Sequence, residues 1–204
     1  MKKSGRNIFF VLISIILLSV CVGCVRTNNT TEGIEAIEFL AERGHANSQV
    51  DLGIMLYYGI DVNQDYEKAL YWFIRAAEQG HVMAQFNLGV IYQEGYTVEQ
   101  DFEQAAYWYR KAAEQGHSIA QNNLGILYAE GDGVARDDEQ AVYWFRRAAE
   151  QNESMAQNNL GWQYHHGLGI EQSYEQAAYW YKKAIAQGNA NAQVNLAVLP
   201  AQYR

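Results

Sequence analysis

Apolar and small residues return along this chain at two spacings, one of three to four residues and one of 36. In the stretch AQFNLGVIYQE (residues 84–94), Ala84, Leu88, Ile91 and Tyr92 fall on one helical face. The stretch AQNNLGILYAE, one step of 36 residues later, keeps the pattern. A glycine follows each such segment (Gly59, Gly95, Gly131, Gly167), and glycine suits the left-handed position that ends a helix. Next comes a short polar loop holding one apolar residue: Val62, Val98, Val134 or Ile170. A second helix is predicted to start at Asp65, Asp101, Asp137 or Ser173. Gln104, Gln140 and Gln176 complete capping boxes, while Lys68 breaks the reciprocal half in the first copy. On that helix Ala105, Trp108 and Ala112 share a face, where the indole is expected to fill the space between closely approaching helices. Gly80, Gly116, Asn152 and Gly188 end it; asparagine also tolerates the left-handed region.

The longer period decides the architecture. Trp72, Trp108, Trp144 and Trp180 keep the 36-residue step, as do Gly53, Gly89, Gly125 and Gly161. A fixed period of this size predicts an all-α solenoid of antiparallel helix pairs, in which each pair buries its apolar face only by stacking on its neighbours. Four complete copies occupy residues 48–191. Residues 34–47 read as an N-terminal capping half-repeat, with Leu40 and Ala41 standing where Ala76 and Ala77 do. Residues 192–204 read as a C-terminal capping helix stopped by Pro200, the only proline.

Ala120, Leu124, Gly125, Tyr128, Gly131, Val134, Asp137, Ala141, Trp144, Ala148 and Ala149 together resemble the Sel-one-like repeat, a relative of the tetratricopeptide repeat with a longer unit. The resemblance recurs in all four copies. Departures are Ser48 for the leading alanine, Leu56 for the tyrosine, Ser173 for the aspartate and Ile185 for the second paired alanine. It implies a right-handed α-solenoid whose first helices line the concave face. It also implies a non-enzymatic adaptor or scaffold that binds protein, often in bacterial envelopes.

By analogy with tetratricopeptide grooves, recognition is expected from first-helix positions that vary between copies. These are Val50, Ile54, Tyr57 and Tyr58; Phe86, Val90, Gln93 and Glu94; Asn122, Ile126, Ala129 and Glu130; and Asn158, Trp162, His165 and His166. Trp162 stands outside the periodic tryptophan set and reads either as an aromatic anchor or as a filler between helices. Asn87, Asn123 and Asn159, continued by Asn195 and preceded by Asp51, read either as a clamp on a ligand backbone or as interhelix hydrogen-bonding groups. His45, His81 and His117 read as turn residues on separate repeats. His165 and His166, adjacent on a helix, point about 100° apart and make poor joint metal ligands. No metal or cofactor is expected.

The N-terminus adds an address. Lys2, Lys3 and Arg6 precede fifteen uncharged residues (8–22), too few for a span of roughly 20 apolar residues. Residues 1–23 read as a signal peptide. Gly23 and Cys24 resemble the end of a lipoprotein signal, although Cys21 and Val22 match its pattern imperfectly; an ordinary secretory signal or an uncleaved anchor is the other reading. The lipoprotein reading makes Cys24 the acylated first residue, leaves residues 24–33 as a polar tether, and places the repeats in the cell envelope, facing the periplasm. Removing the leader leaves 12 Lys and Arg against 23 Asp and Glu, a net charge of −11. Such an acidic body argues against nucleic acid as a partner. Oligomeric state is not legible. Two alternatives remain open: an immunity protein neutralising a secreted toxic effector, and a hydrolase acting on β-lactam or cell-wall compounds. The second is implied by cysteine-rich relatives whose paired cysteines this chain lacks.

Overall fold

The computed structural model describes residues 31–204; the expected signal peptide, Cys24 and most of the tether lie outside them. The described residues form ten α-helices and one 3-10 turn, with no strand. In chain order the helices are α1 (Thr31–Glu42), α2 (Ala46–Tyr58), α3 (Tyr66–Glu78), α4 (Val82–Glu94), α5 (Phe102–Glu114), α6 (Ser118–Glu130), α7 (Asp138–Glu150), α8 (Ser154–His166), α9 (Tyr174–Ile185) and α10 (Ala190–Ala197). Each even-numbered helix up to α8 pairs with the odd-numbered helix that follows, and each odd-numbered helix packs on the next even-numbered one. The contacts are almost all between helices adjacent in the chain, as a solenoid requires. Helix α1 begins at Thr31, so the end of the expected tether is already helical. At the other end Leu199 is fully buried beyond α10, and the Arg204 side chain donates to its carbonyl.

The second helices start where the aspartates predicted. Asp65, Asp101, Asp137 and Ser173 each accept the backbone N–H three residues on, at 3.0, 3.0, 2.9 and 3.2 Å. The expected reciprocal half is spent differently. The cap residue's own N–H donates to a carbonyl in the last turn of the preceding first helix: Asp101 to Tyr92, Asp137 to Tyr128 and Ser173 to Tyr164, each at 2.9 Å. That bond orients the two helices of a pair, so the glutamine is not needed at the cap.

The residues read as turn histidines have a sharper role. His81 and His117 are N-caps of first helices, where Nδ1 accepts the N–H of Ala84 (3.4 Å) and Ala120 (3.1 Å). Glu153 and Asn189 do the same at later copies, while His45 makes no such bond. A ring nitrogen accepts only when unprotonated, and burial holds both His81 and His117 below the usual imidazole pKa.

Packing within a pair also departs from the expectation. The ring set between the two helices belongs to the residue after each periodic tryptophan: Phe73, Tyr109, Phe145 and Tyr181, all buried. Each sits on a first-helix glycine; a Cβ on Gly89 would lie 2.4 Å from the Tyr109 ring, and one on Gly125 2.7 Å from Phe145. The tryptophans instead lie across the joints between repeats. Trp108 packs on the core of the first copy, Trp144 on that of the second and Trp180 on that of the third. Tyr71, Tyr107, Tyr143 and Tyr179, each half exposed, meet the neighbouring indole edge-on at 4.8–5.0 Å on the outer face.

A buried glutamine ladder closes the first four joints, while at the fifth the equivalent Gln193 is exposed. Gln49, Gln85, Gln121 and Gln157 are at most 4 % exposed. Their amide nitrogens donate to Ala41, Ala77, Ala113 and Ala149 carbonyls at the end of the preceding helix. Their oxygens accept from Gln79, Gln115, Gln151 and Gln187, at 2.7–2.8 Å, at the end of the following helix. One side chain thus ties three consecutive helices and gives a second donor to a carbonyl that already accepts the N–H of Gly44, Gly80, Gly116 or Asn152. Asn152, at φ 68°, takes the place of the helix-ending glycine and joins this ladder by accepting from Gln157 at 3.1 Å.

Candidate binding cleft

Stacking the first helices side by side exposes one row of their side chains. The positions expected to form a groove separate into two groups. Val50, Phe86, Val90, Asn122 and Asn158 are only 3–6 % exposed, because the adjoining repeat covers them; as side chains they serve chiefly to pack the joints. Ile54, Tyr57, Gln93, Glu94, Ile126, Ala129 and His165 are partly exposed, and Tyr58, Glu130, Trp162 and His166 are exposed.

At the N-terminal end Tyr57 meets Tyr58 and Tyr66 edge-on, at 5.0 and 5.2 Å. Burial pushes the Tyr58 hydroxyl up to about 12. The surface there holds an aromatic patch, and a mainly apolar concavity lies toward the other end. A cleft of about 610 Å³ runs between α6, α8 and α10, lined by Ile126, Ala129 and Glu130, by Asn158, Asn159, Trp162 and Gln163, and by Asn191, Val194 and Asn195. Leu168 and Phe145 extend its apolar wall, and the Arg136–Asp138 ion pair, at 3.0 Å, lies at its rim.

Trp162 stands in this cleft at 43 % exposure. Its indole is held from behind: the His166 ring lies 3.9 Å away, and His166 Nδ1 is 3.0 Å from the Trp162 carbonyl. His165 stacks 4.3 Å from His166, and burial, followed by the His166 charge, lowers its pKa. The two histidines therefore brace the indole. Among the described residues no group of three or more His, Cys, Asp or Glu side chains is placed to hold a metal ion.

The asparagine ladder bonds across the joints in this half of the molecule. Asn159 donates to Asn122 and Asn195 to Asn158, both at 2.9 Å. Phe86 occupies the corresponding place one copy earlier and offers Asn123 no acceptor. Asn87 and Asn123 are 4 % and 6 % exposed, whereas Asn159 reaches the cleft wall. Gln163 was missed. The signal was present, because Met55, Ile91 and Leu127 are apolar at its place in the other copies.

Four stacked helix pairs with a cleft along the first helices define a helical-repeat binding scaffold. The chain belongs to the Sel1 repeat family, which it matches over residues 46–81, 82–117, 118–153 and 154–189. These boundaries fall two residues before those read from the period alone, because a period has no origin until the helix starts are known. No curated protein matches. Among solved structures, the protective antigen c5321 of uropathogenic Escherichia coli, which displays an SLR fold, is 42 % identical with a TM-score of 0.78. The match covers 80 % of this chain and 35 % of that one, so this chain spans about a third of the antigen's length. A Sel1 repeat protein from Oxalobacter formigenes is 33 % identical with a TM-score of 0.77, covering 81 % of this chain and 68 % of that one. Immunity protein Pa5087 of Pseudomonas aeruginosa, 24 % identical with a TM-score of 0.50 and with 79 % and 60 % covered, shares the fold.

Proposed function

We propose that this protein is a non-enzymatic scaffold of the bacterial cell envelope that binds a polypeptide in the cleft between α6, α8 and α10. A Sel1 repeat array is suited to protein–protein interaction, and proteins of this family generally act as scaffolds rather than enzymes. The observation that carries the reading is Trp162, a large aromatic side chain held rigid and exposed in a mainly apolar concavity. Aromatic anchors in such settings dominate binding energies, because they add apolar area at little cost in conformational freedom. The experiment is photo-crosslinking in cells. A photoreactive residue at position 162 is expected to trap a polypeptide, and one at Tyr71 on the outer face is not. Equal adducts from both positions, or none from 162, defeat the reading.

The envelope address rests on the charged, apolar and Gly23–Cys24 order of the N-terminus. In this reading Cys24 carries the acyl chains that hold the repeats at the membrane. Cys24→Ser is expected to release the protein from membranes washed in high salt; retention would place the anchor elsewhere. A narrower version makes the bound polypeptide a toxic effector, and its test is neutralisation of a toxin encoded beside this gene.

A further inference from the structure

The fourth repeat keeps the packing residues of the third and exchanges its cleft residues. Ala156, Gln157, Leu160 and Gly161 repeat Ala120, Gln121, Leu124 and Gly125, all buried. Ile126 and Leu127 become Trp162 and Gln163, and Ala129 and Glu130 become His165 and His166. The change at Gln163 works against packing. The side chain is 3 % exposed, in a column filled elsewhere by Met55, Ile91 and Leu127, and its Oε1 accepts no hydrogen bond from any described residue. Among the other buried polar atoms without a partner, the Trp144 and Trp180 indole nitrogens and Asn87 Oδ1 stand at places the repeat uses in every copy or nearly so, and the Tyr109 and Tyr181 hydroxyls stand where two copies carry phenylalanine. Gln163 and His165 Nδ1 belong to the fourth copy alone, and of the two only Gln163 lines the cleft. An unpaired buried acceptor is costly to keep, and the side chain that carries it lines the cleft beside Trp162.

We infer that Gln163 is a specificity residue for an extended polypeptide segment: the segment sets a large apolar side chain against Trp162, between Ile126 and Val194, and the Gln163 amide turns toward the cleft so that its Oε1 accepts a backbone N–H of the segment. This rests on the reading of the cleft as a polypeptide site and names the form of its ligand. An extended chain has free amide donors, whereas those inside a helix are already bonded to carbonyls four residues back. The walls favour the apolar anchor: Val194 is 65 % exposed on α10, facing the cleft that Trp162 and Ile126 line from the other helices. The braced indole offers a preformed platform, and the amide oxygen beneath selects for a donor. A partner that brings only apolar surface leaves that oxygen unpaired and loses affinity.

The test uses the full chain in detergent and a random linear peptide library displayed on phage. An enriched peptide is synthesised and titrated by tryptophan fluorescence. Trp162→Ala is expected to weaken it about thirtyfold, and Gln163→Leu about tenfold. Methylating the anchor residue's backbone nitrogen in the peptide should cost wild type a similar factor and Gln163→Leu nothing further. Equal binding by wild type and Gln163→Leu, independent losses in the cycle, or a helical bound peptide would overturn the inference while leaving polypeptide binding in place. Failure of any peptide to be enriched removes both. Thermal unfolding gives the structural control: Gln163→Leu restores the aliphatic column and is expected to unfold at the same or a higher temperature. Marked destabilisation would show that the glutamine holds the fold instead.

Discussion

Gln157 and Gln163 lie on the same helix, six residues apart, and neither is more than 3 % exposed. Gln157 donates to Ala149 and Asn152 and accepts from Gln187. Gln163 leaves its oxygen unpartnered, on a side chain that lines the cleft. Burial of an amide is therefore not one observation but two. At the joint, the glutamine meets the helix-end carbonyl that every repeat presents, so it recurs every 36 residues. At the cleft nothing in the repeat calls for it, and it occurs once. A polar group kept where its own fold cannot satisfy it points to a ligand; one whose partners are all in place points to stability.

The joint should be the easier to break. Gln121→Leu removes two hydrogen bonds, to the Ala113 carbonyl and from Gln151, each worth on the order of 0.5–1.5 kcal/mol; the carbonyl keeps the Gly116 N–H and Gln151 keeps the Arg147 carbonyl. Chemical denaturation is expected to show a loss of about 2 kcal/mol, the net worth of two hydrogen bonds. A loss within half a kilocalorie would mean that the ladder is incidental.

The next effect is a pH dependence at the caps. Burial keeps His117 below its ordinary pKa, so the folded chain binds fewer protons than the unfolded one. The contribution of this cap is complete above about pH 6.5, the unfolded value, and is lost as pH falls through the lowered folded value. Protonation removes the acceptor for Ala120 and charges a ring stacked 4.5 Å from Phe86. Losing the cap should cost about 1 kcal/mol. His117→Asn, copying the cap that Asn189 supplies to α10, should flatten the melting temperature between about pH 5 and 7 relative to wild type.

The smallest effect is the most informative. Gln163→Leu is expected to raise stability by about 0.5–1 kcal/mol, since it removes an unpaired acceptor and extends an aliphatic column. Opposite signs for the same substitution at Gln121 and Gln163 would sharpen the division between joint and cleft. Equal losses would erase it.

Much of this was legible before folding was considered. The 36-residue step announced a solenoid, Asp101 and Asp137 marked helix starts, and Trp162 stood out as a tryptophan off the period. The buried rings were misassigned because Trp108 and Tyr109 are neighbours, and a helical count cannot say which of two adjacent large rings faces the pair and which faces the joint. Phe86 and Val90 read as groove residues for a related reason. Variation between copies marks freedom from the consensus, and a joint can accommodate variation as readily as a surface can. His117 looked like a turn residue because capping depends on a backbone angle and on the Nδ1 lone pair, neither of which residue type alone reveals.

Helix order, repeat length and the chemistry of each column come from short-range rules: caps, helical spacing, and the need of one apolar face for another. Those rules act within a few residues, so a linear string carries them. Partnership between groups 30 or more residues apart is another matter. Gln151 with Gln121, Asn159 with Asn122, and Trp162 opposite Val194 were decided only when neighbouring pairs stacked. Whether a buried amide finds a carbonyl or faces an opening depends on where the next helix lies, and that is a property of three-dimensional packing.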